Sequence, residues 1–112
     1  MIKRGIFLIL LLIFVSGCYQ TNTNTPVTST INPNEIIIKD FSFNPSTLTI
    51  NAGTEVTWTN QDSVVHKIII KDLTEGNNLN QGDKFTFTFA NKGTYDYSCA
   101  IHPSMTGKII VN

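Results

Sequence analysis

The chain has 112 residues, 41% of them hydrophobic, and its eight basic and eight acidic residues cancel to a net charge of zero. A chain of this length forms one folded domain once targeting segments are removed, which excludes multidomain architectures. No stripe of basic residues is present, so we expect no nucleic-acid partner.

The N-terminus has the features of a targeting segment. Lys3 and Arg4 precede an unbroken apolar run, residues 6–15, and the small residues that follow end at Cys18. Ten residues of helix rise only about 15 Å, too short to cross the hydrocarbon core of a bilayer. Residues 1–17 are therefore predicted to be a signal peptide. The cysteine that follows resembles the lipobox of prokaryotic lipoproteins, which implies lipidation; an ordinary secretory site with an incidental cysteine is the alternative.

The next segment, residues 18–34, consists almost entirely of Thr, Asn, Ser and Pro. Such a composition cannot bury enough apolar surface to fold, and it predicts a flexible linker from a lipid anchor to a domain at residues 35–112. A plain unstructured terminus has the same composition. If the linker prediction holds, the domain is tethered to a membrane and lies outside the cytoplasm.

The folded part has the two-residue period of β-strands. In residues 84–89, Phe85, Phe87 and Phe89 alternate with Lys and Thr, which is typical of a half-buried strand. Shorter runs of the same kind, separated by turn residues, lie at 36–40, 47–50, 55–59, 66–71, 94–99 and 108–111. Seven strands at this spacing, with no helical period, predict an all-β class and a single antiparallel sandwich.

Alternation also predicts which side chains face the core. His66 shares a strand face with Ile68, whereas Lys67 lies on the other face. Cys99 shares its face with Tyr97. Both potential metal ligands therefore begin on core-facing rows.

Four residues form a donor set for copper. Cys99, His102 and Met105 form a CxxHxxM motif, and His66 is the other histidine of the chain. A thiolate, two imidazoles and a thioether suit one copper ion with a long axial methionine bond, whereas structural zinc does not use thioethers. If Cys18 carries lipid, Cys99 has no disulfide partner, and metal ligation explains an unpaired thiol outside the cytoplasm.

Other interpretations of these residues explain less. A buried cysteine, a hydrogen-bonded histidine or a space-filling methionine is common singly, but here all four residues fit one site. A nucleophilic pair of Cys99 with a histidine lacks an orienting group and an oxyanion site. Copper oxidases and nitrite reductases need further histidines that the chain does not contain. We therefore predict no enzymatic activity.

Several segments resemble a known family: Phe43-Asn44-Pro45, Gly53, Val56-Thr57-Trp58 and Asn60. With the ligand motif, they make residues 43–112 similar to the cupredoxins, most closely the plastocyanin and amicyanin branch. The two-residue gap between His102 and Met105, with Pro103 after the histidine, looks like the short amicyanin loop. The resemblance implies a Greek-key β-sandwich of seven to eight strands.

The resemblance also implies a function and roles for the site residues. Cys99 would supply the thiolate, His66 and His102 the trigonal plane, and Met105 the axial donor of one Cu(II)/Cu(I) ion. The expected function is one-electron transfer, by a monomer, between transient redox partner proteins that dock near His102. An extracytoplasmic copper carrier or storage protein with the same ligands is the alternative.

Two positions depart from the family pattern. Lys67 replaces the usual asparagine after the first histidine, and Ile101 replaces the proline before the second. In the family, the backbone amide at the first position donates to the ligand sulfur, which Lys67 can still do. The asparagine side chain, which joins the two ligand loops, is missing, so a looser site is predicted. A cation at Lys67 would also raise the reduction potential.

Overall fold

A computed structural model of the chain describes Gly17 and residues 32–112. This part contains nine β-strands: β1 Glu35–Lys39, β2 Ser42–Asn44, β3 Thr47–Ile50, β4 Thr54–Asn60, β5 Ile68–Ile70, β6 Thr74–Glu75, β7 Lys84–Phe89, β8 Gly93–Cys99 and β9 Thr106–Val111. It includes no helix long and apolar enough to span a membrane. The predicted lipidation at Cys18, and most of the predicted signal peptide and linker, lie outside the described residues.

The strands form two sheets, in the orders β2-β1-β4-β7 and β3-β9-β8-β5-β6. The predicted all-β sandwich is confirmed, and two short strands, β2 and β6, add to the seven that were predicted. The predicted antiparallel pairing holds for most neighbouring strands and is wrong for two pairs, because β1 pairs with β4 and β3 pairs with β9 in parallel. The chain moves between sheets after β2 and again after β3, so strands distant in sequence become neighbours, as a parallel pair requires.

The core lies between the sheets and is rich in aromatic rings. Trp58 is fully buried and packs edge-on against Tyr97, with ring centroids 5.3 Å apart. Edge-to-face pairs of this kind stabilise a core by about 0.5–1.5 kcal/mol beyond the burial of their area. The predicted strand faces are confirmed, since His66, Ile68 and Cys99 are all buried.

The ordered domain includes three residues of the segment assigned to the linker. The N–H of Glu35 donates to the carbonyl of Asn32 at 3.0 Å, and the N–H of Thr57 donates to the carbonyl of Asn34 at 3.0 Å. The second bond lies beside the β1–β4 ladder. Residues 32–34 therefore pack on the domain.

Candidate metal centre

The ligand loop, residues 99–105, connects β8 to β9 and is held by its own backbone. The N–H of Cys99 donates to the carbonyl of Met105 at 3.0 Å, and the N–H of Met105 donates to the carbonyl of His102 at 2.9 Å. The second bond closes a β-turn with Pro103 at its second position, where the ring presets φ. Cys99 and Met105 are both buried.

His66 reaches the same place from the segment between β4 and β5. Its backbone forms an isolated antiparallel bridge with Leu79, donating at 3.1 Å and accepting at 2.7 Å. Two residues later, Ile68 pairs with Cys99 across the β5–β8 ladder. This register brings the fully buried His66 beside the end of β8.

Three of the predicted ligands converge. The Cys99 Sγ atom lies 3.6 Å from His66 Nδ1 and 3.7 Å from His102 Nδ1. The three donor atoms all lie within 4.8 Å of one another. Nitrogen and sulfur ligands bind a first-row metal ion at about 2.0–2.3 Å, so donors at these separations can share one ion. A thiolate with two imidazoles fits copper, and the role of Met105 stays a prediction.

Lys67 joins the two ligand segments through its backbone. Its N–H donates to Cys99 Sγ at 3.5 Å, and its carbonyl accepts from the N–H of Ala100 at 2.8 Å. The side chain points to the other face and forms an ion pair with Glu75, Nζ to Oε1 2.6 Å. The segments are thus linked without the asparagine side chain found in the family.

Sequence reasoning missed Asp62, which hydrogen-bonds the outer nitrogen of His66. Its Oδ2 lies 2.9 Å from His66 Nε2 and 3.1 Å from the N–H of Phe41, and its Oδ1 accepts from the N–H of Asp40 at 2.7 Å. Burial opposes ionisation, but the hydrogen bonds from Phe41, His66 and Asp40 outweigh it and lower the pKa of Asp62. Because two backbone N–H groups already donate to the Asp62 carboxylate, its contact with His66 fits a ring that carries its proton on Nε2 and faces Cys99 with Nδ1.

Sequence reasoning also assigned no structural role to Asn60, which organises the segment before His66. Its fully buried side chain donates to the carbonyls of Val64 at 2.9 Å and Leu79 at 2.8 Å, and accepts from the N–H of Asp62 at 2.9 Å. A buried amide with these bonds fixes the loop in one conformation. The only signal in the sequence was the position of Asn60 in the family pattern.

The partly exposed side of the centre is apolar. His102 is half-buried, and the Phe41 ring stands edge-on to it, with centroids 5.1 Å apart at 88°. Phe41, Val64 and Ile101 are exposed large hydrophobic residues, and Pro103 is exposed as well. An apolar rim therefore lies beside the half-buried imidazole on this side of the centre.

The β-sandwich and the Cys-His-His donor cluster, with Cys99 and His66 buried and His102 half-buried, together define a small metal-binding β-domain of the blue copper type. A family model described as "Cupredoxin-like domain" matches residues 6–111. The chain therefore belongs to the cupredoxin-like domain family, as its sequence resemblance implied.

Individual relatives lie in the amicyanin and plastocyanin branch. Amicyanin-alpha of Methylorubrum extorquens is 33% identical over 103 residues, which cover 86% of this chain and 82% of the relative. Amicyanin of Paracoccus versutus is 36% identical over 57% of this chain and 53% of its own length. Chloroplastic plastocyanin of Tetradesmus obliquus is 36% identical over 62% of this chain and 57% of its own length. The chain thus spans just over half of the last two relatives.

Solved structures agree with this assignment. A reduced amicyanin variant superposes with a TM-score of 0.67 at 27% identity, covering 70% of this chain and 80% of that protein. A purple cupredoxin from Nitrosopumilus maritimus gives 0.66 at 35% identity, covering 70% of this chain and 98% of that one. The likeness of fold extends over 70% of this chain in both comparisons.

Proposed function

We propose that the protein is a one-electron carrier whose mononuclear copper site is formed by His66, Cys99, His102 and Met105. When bound, the copper ion supplies the Cu(II)/Cu(I) couple that takes up and releases the electron. The convergence of Cys99 Sγ and one ring nitrogen of each histidine, all within 4.8 Å of one another, carries the proposal. Similar solved amicyanins include forms described as oxidised and as Cu(I), which supports a redox role.

The way the ligands are held favours electron transfer. Fast exchange requires ligands that barely move when the charge of the site changes, since reorganisation adds to the barrier. The backbone bridge to Leu79 fixes His66. Two hydrogen bonds fix Cys99: its N–H donates to the carbonyl of Met105, and its sulfur accepts from the N–H of Lys67. His66, Cys99 and Met105 are buried, so the half-buried His102 offers the route to a partner.

Copper binding by the purified full chain in mild detergent tests the proposal. Addition of Cu(II) is expected to give intense visible absorption that saturates at one ion per chain. Cys99→Ser should abolish the colour, because the absorption requires the thiolate, whereas the neighbouring Ser98→Ala should keep it. A colourless product, or colour that survives Cys99→Ser, would contradict the assignment.

A copper carrier would use the same ligands but must release the ion. The burial of three of the four proposed ligands favours retention over release. The electron self-exchange rate, measured beside the rate of copper transfer to a metal-free acceptor, separates the two functions. We expect rapid exchange and slow transfer; the reverse order would favour the carrier.

We further propose that residues 1–17 are removed and that Cys18 carries a lipid anchor. The polar composition of residues 18–34 supports a linker that lets a monomeric domain reach transient redox partners near His102. Cys18→Ser should move the protein from the membrane to the soluble fraction without loss of copper binding. A variant that stays in the membrane fraction would argue against lipidation.

A further inference from the structure

The turn between β1 and β2 has an unusual backbone for its sequence. Asp40 and Phe41 have φ values of 51° and 55°, and they form the two-residue loop of the hairpin. Two-residue loops with positive φ at both positions favour Asn-Gly, because a bulky side chain is disfavoured there. Strained residues of this kind persist where the surroundings hold them, often at functional sites.

The Asp62 carboxylate holds this turn. Oδ1 accepts from the N–H of Asp40 at 2.7 Å, and Oδ2 accepts from the N–H of Phe41 at 3.1 Å. The same Oδ2 accepts from His66 Nε2 at 2.9 Å. The Asp62 side chain is only 11% exposed. One carboxylate therefore joins the strained turn to a proposed copper ligand.

The strained turn places an aromatic ring on both histidines. Phe41 stands edge-on to His66, with centroids 5.6 Å apart at 81°, and edge-on to His102 at 5.1 Å. Phe41 as a whole residue is nevertheless 52% exposed. A ring that contacts both imidazoles while its other side meets solvent covers the edge of the centre.

We propose that Asp62 is a positioning residue of the metal centre: it keeps His66 in the Nε2–H tautomer and holds the Asp40–Phe41 turn so that Phe41 caps both histidines. The cap limits the access of water and small reagents to the site. The proposal rests on the copper function proposed above. No role for either residue follows from the CxxHxxM motif.

A carboxylate is needed at position 62 because all of its partners are donors. An asparagine there has one acceptor oxygen, and its amide N–H groups would face donors. Its amide can instead donate to His66 Nε2, which favours the Nδ1–H tautomer. That tautomer puts a proton on the nitrogen that faces Cys99. Histidine ligands depend on such partners, and their loss typically lowers metal affinity 10–100-fold.

The tautomer can be tested without metal. We would measure the ring ¹⁵N shifts of His66 by NMR in the metal-free full chain, in Asp62→Asn and in the control Asp83→Asn, which loses a carboxylate bonded to the N–H of Asn80. Wild type and Asp83→Asn should show Nε2–H, and Asp62→Asn should gain Nδ1–H. An unchanged tautomer in folded Asp62→Asn would overturn the proposal, whatever the copper chemistry proves to be.

The reduction potential gives a second test of Asp62. Removing its negative charge should weaken Cu(II) binding about tenfold more than Cu(I) binding, which raises the midpoint potential by about 59 mV. Asp83→Asn should leave the potential unchanged. Equal potentials in both variants would contradict a positioning role.

The cap is tested by Phe41→Asn, because asparagine tolerates positive φ and the turn can survive the change. Leu73→Asn is the matched control, since Leu73 is 49% exposed and lies between β5 and β6, against 52% exposure for Phe41. Copper removal by a chelator should become several-fold faster in Phe41→Asn and stay unchanged in Leu73→Asn. Equal removal rates in wild type and folded Phe41→Asn would refute the cap. If the wild type binds no copper, the proposed electron-transfer function is refuted. The role of Asp62 is then decided by the NMR measurement of the His66 tautomer.

Discussion

The two sides of the metal centre are built differently. The ligand loop, residues 99–105, is closed by two hydrogen bonds within its own backbone, Cys99 to Met105 and Met105 to His102. His66, by contrast, is held by distant parts of the chain. Its backbone bonds to Leu79, and the β5–β8 ladder places it beside Cys99 at the end of β8. A ligand set can therefore combine a loop closed by its own backbone, with two further bonds to Lys67, and a residue whose position depends on the whole sandwich. Damage to one side should be separable from damage to the other.

The largest expected loss of stability comes from a change in the β8–β9 strand pair, which carries the ligand loop. Gly107 pairs with Tyr97 across the β8–β9 ladder, and a Cβ at position 107 would collide with the Tyr97 ring. That ring is buried and packs edge-on against Trp58 and Phe43. Gly107→Ala should lower the unfolding free energy of the metal-free protein by about 3 kcal/mol, measured by urea denaturation.

A double variant checks the cause of this loss. Tyr97→Leu shortens the side chain that the new methyl group meets, so the two changes should couple in a double-mutant cycle. The double variant should recover part of the stability lost in Gly107→Ala. Strictly additive losses would show that the ring is not the obstacle.

The next effect falls on the His66 side. Asn60→Ala removes a buried amide that bonds the carbonyls of Val64 and Leu79 and the N–H of Asp62. Loss of these bonds should cost about 2–3 kcal/mol, since buried groups are left with fewer partners. The exposed Asn78→Ala should stay within about 0.5 kcal/mol of wild type. Copper affinity should fall in Asn60→Ala alone; equal stability of the two variants would contradict this role.

A smaller effect is expected inside the ligand loop. Pro103 presets the turn that the Met105 N–H closes on the His102 carbonyl. Pro103→Ala should lower the unfolding free energy by about 0.4–1 kcal/mol, because the unfolded chain gains freedom. Ser104→Ala, in the same turn, should be nearly neutral. A loss above that of Asn60→Ala would mean that the loop is less self-contained than its hydrogen bonds indicate.

The same contrast explains what could be predicted of the fold. The alternation of Phe85, Phe87 and Phe89 marks β7 directly, because a strand's faces are a local property. The three residues of β2 and the two of β6 are too short to show a period. The parallel pairs were missed because no local pattern records which distant strand becomes a neighbour.

The residues of the site also differ in how far local sequence could predict them. Cys99, His102 and Met105 can be recognised from spacing alone, since one short loop holds them. His66 was found because its residue type is rare in this chain, not because its location could be deduced. Asp62 could not be found, since its partners at positions 40, 41 and 66 meet only after the hairpin and the β5–β8 ladder have formed.

The smallest expected effect concerns the side-chain charge of Lys67, whose backbone links the His66 segment to the ligand loop. A cation near the centre favours the less positive Cu(I) state and raises the potential, but Lys67 Nζ is paired with Glu75 at 2.6 Å. Lys67→Asn should therefore lower the midpoint potential, and Glu75→Gln should raise it, because the lysine is then uncompensated. Exposed ion pairs contribute about 1 kcal/mol at most, so each shift should stay below about 59 mV, the value for a tenfold change in a one-electron couple. Voltammetry at low and high salt provides the check, since screening by salt should shrink both shifts in potential. Lys71→Asn, which removes an exposed lysine, is the control and should have a potential near that of wild type. An unchanged or higher potential in Lys67→Asn would show that residue 67 acts on the centre through its backbone alone.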